Sequence, residues 1–287
     1  MRRFIRGTLI VAIVAGVAFA LLRSFAPPPK PEILFARYGE SYREKPDFAL
    51  VERQFPLTPK ELKSLRPENL KAFNQEQLDQ LYARLTAGPL PDGPFGGEVL
   101  RPDGAPVDRA VETAGSPKGL ALKLPRAKLE MIVHALWRGK VFYRAERIAR
   151  TAIEDLEPLR PFLEGEVPKA KVKGKDAWLL FPAKVYCGQS LLDGRRESIV
   201  IDYAFADEIA GYREMPDSLA GRNGFGVRDE IRMVRPGLYL GRAYVERFFA
   251  LNFFLHSDEV AARELASFAR GKLKQDCWPG TQVARLN

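Results

Sequence analysis

The chain has 287 residues, 46% of them hydrophobic and 28% charged, with a net charge of +9. This composition excludes an intrinsically disordered or collagen-like chain and allows one large domain with an appendage. Arg2, Arg3, Arg6 and Arg23 account for part of the positive excess. The rest is spread out with no basic stripe or recognisable module, so nucleic acid is not an expected partner.

Residues 1–26 open on Met1-Arg2-Arg3-Phe4-Ile5-Arg6 and continue through an uncharged run from Gly7 to Leu22. This predicts a signal anchor or a signal peptide. Ala18-Phe19-Ala20 has the spacing of a cleavage site, but the run with Phe4 and Ile5 approaches one bilayer span. A retained anchor, with its basic flank cytoplasmic, places the bulk of a single-pass bacterial inner-membrane protein in the periplasm. The alternative is cleavage and release into the periplasm. Residues 27–57 read as a linker, stiffened by Pro27-Pro28-Pro29-Lys30-Pro31, and an extended segment.

Residues 58–88 carry helix starts. Thr58-Pro59-Lys60-Glu61 combines an N-cap, a proline at the first position and a glutamate three residues after the cap. Asn74 to Gln77 repeats the capping-box spacing, and Leu78, Leu81, Tyr82 and Leu85 then share a face. This helix either binds a partner or packs on its own domain.

Residues 89–256 predict a mainly β domain, an antiparallel β-barrel of lipocalin/calycin-like type with flanking α-helices. Glu98 to Arg101 is a first strand. Ala127 to Leu136 has helical spacing, and Trp137 to Tyr143 is a strand with Trp137, Gly139, Val141 and Tyr143 on one face. A short helix running into a strand that opens with Trp is the pattern at the start of lipocalin-like barrels. Gly139 inside a strand predicts close approach by another backbone or a large ring. Residues 144–160 read as helix, and the basic Lys169 to Lys175 as a solvated edge. Strands at Trp178–Phe181 and Lys184–Cys187 flank Pro182, and Asp193-Gly194 turns the chain into Glu197 to Tyr203. Gly221 to Gly226 is a glycine-rich loop without the order or residues of a phosphate cradle.

The densest pattern is Val227 to Val234, turned by Arg235-Pro236-Gly237 into Leu238 to Val245. Proline then glycine suits a type II turn. A tight turn sets Val234 opposite Tyr239, Ile231 opposite Arg242 and Asp229 opposite Tyr244. The inward face then reads Val227, Asp229, Ile231, Met233, Leu240, Arg242 and Tyr244. A bulge at the turn would flip one strand. Phe249, Leu251, Phe253 and Leu255 form one face of a further strand. Residues 257–287 hold a helix capped by Ser257, docked through Val260, Leu265 and Phe268, and a tail.

The two cysteines, Cys187 and Cys277, match no metal or redox spacing. In an exported protein they can form an intrachain disulfide, or they remain separate buried thiols.

The phrases Trp137-Arg138-Gly139-Lys140-Val141-Phe142, Asp193-Gly194-Arg195-Arg196-Glu197 running on to Tyr203, and Val227 to Arg232 with Pro236 to Gly241 together resemble a group of bacterial hypothetical proteins defined by these phrases and by no activity. The resemblance spans roughly residues 88–255. It implies a shared β-rich domain and carries over no catalytic residue.

No Gly-x-Ser-x-Gly occurs, the only histidines are His134 and His256, and no His/Cys cluster has metal spacing, so no metal or cofactor is expected. The best polar constellation is Asp229, Arg242 and Tyr244, with Asp202, Tyr203 and Trp137 completing a ligand-binding set. Asp229 is the one candidate acid or base. Arg242 could instead hold a carboxylate or phosphate head group, or the trio is a paired structural network. Three functions follow: a barrel binding a lipid-like, apolar or amphipathic molecule near the membrane; an enzyme acting on such a molecule through Asp229; or an envelope scaffold using the 58–88 helices.

Overall fold

Strand-forming segments with alternating apolar residues assemble one antiparallel sheet that closes on itself. The computed structural model describes residues 33–38, 46–102, 137–272 and 274–280. The expected anchor, the proline run and the helix before Trp137 lie outside these residues. Among the described residues no helix is long and apolar enough to cross a membrane.

The strands are β1 (Gly93–Leu100), β2 (Trp137–Tyr143), β3 (Ile148–Ile153), β4 (Lys169–Val172), β5 (Lys175–Gln189), β6 (Glu197–Asp202), β7 (Val227–Arg235), β8 (Leu238–Val245) and β9 (Phe248–His256). They pair in the order β3-β2-β1-β9-β8-β7-β6-β5-β4, and β3 also pairs with β5. The result is an eight-stranded up-and-down barrel with β4 outside it, the order of a lipocalin-like barrel. Closure removes the edges of the eight barrel strands. Val172 of β4 packs with Val141, Ala152, Ala177 and Leu179 on the outer wall.

The strand that closes the barrel is the one the sequence disguised. Residues 144–160, expected as helix, form β3 and then a 3₁₀ turn, Glu157–Phe162. Ile148 and Ile153 are β-branched, and Ala149 and Thr151 alternate inward between them, so a two-residue period was present beneath the helical spacing. Pro182 does not divide two strands either. β5 runs through it, with Arg150 opposite Pro182 and Thr151 opposite Leu180. The extra residue, Phe181, takes a φ of 49°, and a bulge is where a strand tolerates proline.

Four helices cover one outer wall: α1 (Phe48–Gln54), α2 (Pro59–Ser64), α3 (Pro67–Lys71) and α4 (Gln75–Arg84). α1 lies in the stretch expected to be extended, where Asp47 caps it by accepting from Ala49 N at 2.8 Å. Thr58 and Asn74 form the expected capping boxes. Leu65, Leu70, Leu78, Leu81 and Leu85 pack on Val234, Leu238, Leu240 and Phe254 of the barrel. The interior holds Phe95, Phe142, Ile199, Ile201, Ile231, Met233, Tyr239, Phe253 and Leu255. α5 (Asp258–Ala269) docks through Val260, Leu265 and Phe268 as expected.

The turn at Pro236-Gly237 closes tightly, with Arg235 opposite Leu238, but Met233 pairs with Tyr239 and leaves Val234 as a bulge. Val234 therefore joins Leu238 and Leu240 under the helices. From Tyr239 onward every residue of β8 is shifted by one against the expected register.

Candidate functional site

The inward face of β7 is as the alternation predicted, and it carries Asp229 into the barrel. There Asp229 meets Lys140 and Tyr203, and Tyr203 in turn meets Thr151. Lys140 on β2 places Nζ 2.9 Å from Asp229 Oδ2 and donates to the Tyr203 hydroxyl. Tyr203, following β6, donates to Asp229 Oδ2 at 3.3 Å. The Thr151 hydroxyl of β3 lies 3.1 Å from that of Tyr203. All four residues are buried.

Burial pulls the Lys140 amine down, but Asp229, followed by Tyr203, more than reverses this and holds it above its ordinary value. Lys140 is therefore an ammonium at neutral pH and not a free nucleophile. Burial raises the Tyr203 phenol against the opposing pull of Lys140. The quartet thus contains one matched charge pair and two neutral hydroxyls.

Strand register places this quartet toward one end of the barrel. Trp137 faces Ile153, Asp202 faces Arg228, and Val227 faces Val245, so these strand ends lie together. Half-buried Trp137, Phe181, Val227, Ala243 and Leu251 ring the interior here. Trp137 stacks edge-on against Phe253 with ring centres 5.4 Å apart, and its ring lies where a Cβ on Gly97 would sit, at 2.4 Å. Gly139 meets the other close approach: a Cβ there would fall 2.0 Å from the Phe95 carbonyl oxygen.

The opposite end is filled. α5 packs over the Gly237 turn, where an added Cβ would lie 2.4 Å from the Ser257 carbonyl oxygen. Leu90 and Cys277 enter the core, and the Tyr239 hydroxyl donates to the Pro89 carbonyl at 2.7 Å. Of the two alternatives for the cysteines, the structure has the disulfide Cys187–Cys277, with Cα atoms 5.3 Å apart. Glu197 lies beside the two sulfurs, which are committed to each other, and accepts from Trp278 N at 2.7 Å.

The middle of the barrel is a packed core. Phe95 meets Phe142 and Tyr239 edge-on at 5.8 and 5.7 Å. A cleft beside Tyr203, walled by Asp207, Tyr212, Ser218 and Arg222, has a volume of about 20 Å³, room for roughly one water molecule.

The other expected site residues lie elsewhere. The Val234 bulge sends Arg242 and Tyr244 to the outer wall, where Arg242 faces Glu230, not Ile231, and Tyr244 faces Arg228, not Asp229. Arg242 pairs with Asp79 of α4 and donates through Nε to the Tyr244 hydroxyl at 3.0 Å. Asn252 donates to Gln75 and Gln75 to Asp79, each at 2.7 Å. Nearby, fully buried Arg232 donates to Ser198 Oγ at 2.9 Å and to the carbonyls of Tyr82 and Asp193, both at 3.1 Å. These contacts are a seam between helices and barrel. Asp202 is half-buried, accepts from the Tyr186 hydroxyl, and caps the turn at Ala204.

Compared with family models, with curated proteins and with solved structures, the chain matches none. The reading of the site therefore rests on its geometry. Of the expected ligand-binding set, Asp229, Tyr203 and Trp137 come together. Lys140 and Thr151 were missed. Trp137 was expected in phase with Gly139, but Arg138 is an extra residue between the Trp137–Ile153 and Gly139–Ala152 pairs. The bulge puts Trp137 in phase with Lys140 and Phe142.

Proposed function

We propose that the protein is a membrane-anchored, periplasm-facing binding barrel that takes an apolar or amphipathic small molecule at the Trp137 end. The observation that carries this is the buried quartet Lys140, Thr151, Tyr203 and Asp229 beneath a rim of half-buried apolar side chains, at the end opposite α5. Polar groups inside an apolar wall are the usual means of orienting a ligand. The ion pair keeps slight exposure, 4% for the Lys140 side chain and 8% for that of Asp229, so a head group can reach it while an apolar tail lies across the rim. The basic start, the uncharged run from Gly7 to Leu22 and the disulfide support the envelope placement.

The experiment is to incubate the full chain with a bacterial lipid extract and examine it by native mass spectrometry. A one-to-one adduct lost on Ala243→Trp, which fills the rim, is expected. No adduct, or one indifferent to Ala243→Trp, would remove the proposal. The scaffold reading is less well supported, because the apolar faces of α2 to α4 are spent on the barrel wall.

A further inference from the structure

Resting on the binding reading above, we infer that the head group taken by this site is neutral and both donates and accepts a hydrogen bond, as a carboxamide or a hydroxyl does. A lone buried lysine would point to an anion, but Lys140 is not alone. Its ammonium is matched by Asp229 at 2.9 Å. A ligand carboxylate added here would put two carboxylates on one ammonium and leave a buried net negative charge. A ligand ammonium would leave a buried net positive charge. Both carry the desolvation cost of an unmatched ion, and a neutral group does not.

The hydrogen-bond accounting points the same way. An ammonium has three donors, and Lys140 spends two, on Tyr203 and on Asp229 Oδ2. Both partners of the Asp229 carboxylate use Oδ2. Among the described residues none donates to its other oxygen, Oδ1. Among the described residues one donor and one acceptor therefore remain on this ion pair, in a residue 5% exposed. Neither atom is a wholly buried group left without a partner, so this capacity opens onto the slight exposure of the pair, 4% and 8%, where a ligand group can take it. A carboxamide supplies an N–H to Oδ1 and a carbonyl to the ammonium; a hydroxyl supplies both from one atom. The apolar rim of Trp137, Val227 and Leu251 suits an alkyl tail on either.

The test is isothermal titration of the full chain with dodecanamide, 1-dodecanol, dodecanoate and dodecylammonium at about pH 8, where both ionic probes are fully charged. The amide or the alcohol should bind at least about tenfold tighter than either ion. Asp229→Asn, which leaves Lys140 unmatched, should turn the preference to dodecanoate. Lys140→Met combined with Asp229→Asn removes both charges and guards against a single variant that fails to fold; it should lose the dodecanoate preference again. Dodecanoate or dodecylammonium binding the wild type as tightly as the neutral probes would overturn the inference and leave the binding reading standing. No binding of any probe to the wild type would overturn the binding reading itself.

Discussion

Lys140 Nζ and Asp229 Oδ2 lie 2.9 Å apart inside the barrel, joined across strands β2 and β7 that are not neighbours in the sheet. Removing one partner leaves the other charged and buried. Lys140→Met alone and Asp229→Asn alone should each cost about 3–5 kcal/mol in urea unfolding, and the double variant should lie close to wild type. Costs that simply add would show that the pair is not coupled.

Alkaline pH should loosen the fold. Lys140 and Tyr203 titrate above their ordinary values of 10.5 and 10.0 when folded, so both bind protons more tightly in the native state. Their contribution is complete below the unfolded values and is lost as pH rises through the folded ones. Buried Tyr82 and Tyr239 shift the same way, chiefly through burial. Tm should be flat to about pH 10 and fall beyond it, with a shallower fall in Tyr203→Phe. The same slope in Tyr203→Phe would remove Tyr203 from the account.

On the outer wall, the Arg242–Asp79 pair ties α4 to the barrel with both side chains almost fully buried, at 2% and 0% exposure. Asp79→Ala should cost about 3–5 kcal/mol and speed amide exchange along α4. The exposed pair Lys171–Asp176 is the control, and Asp176→Ala should cost less than about 1 kcal/mol. Equal costs would mean that the outer seam is not what holds the helices down.

How far the sequence reached can be traced to single residues. The alternation of Val227, Asp229, Ile231 and Met233 named the inward face of β7, because period two survives on an unbroken strand. One extra residue, Val234, turned Arg242 and Tyr244 out of the barrel, and one more, Arg138, brought Lys140 in. Bulges leave the composition of a strand unchanged while reversing its phase. β3 stayed hidden because Ile148, Ile153 and Leu156 also fit helical spacing, and what decides the matter is long-range pairing with β5. Lys140 gave a further signal that was passed over: a cation in a strand flanked by Trp137, Val141 and Phe142 needs a partner.

The disulfide joins residues 90 apart in sequence. Long closed loops gain most from a crosslink, so paired Cys187→Ser and Cys277→Ser should lose about 2–5 kcal/mol. Dithiothreitol should lower the urea midpoint of the wild type and leave the variant unmoved. An unchanged wild-type midpoint would place the stabilisation elsewhere.

On the proposed function, ligand is held at the Trp137 end of the barrel. Photo-crosslinking the full chain with a diazirine-bearing long-chain alcohol, followed by peptide mapping, tests it most directly. Label concentrated on peptides containing Trp137, Val227 and Leu251, and displaced by excess 1-dodecanol, is the predicted result. Label confined to α1 to α4 or to α5, or undiminished by the competitor, would contradict it.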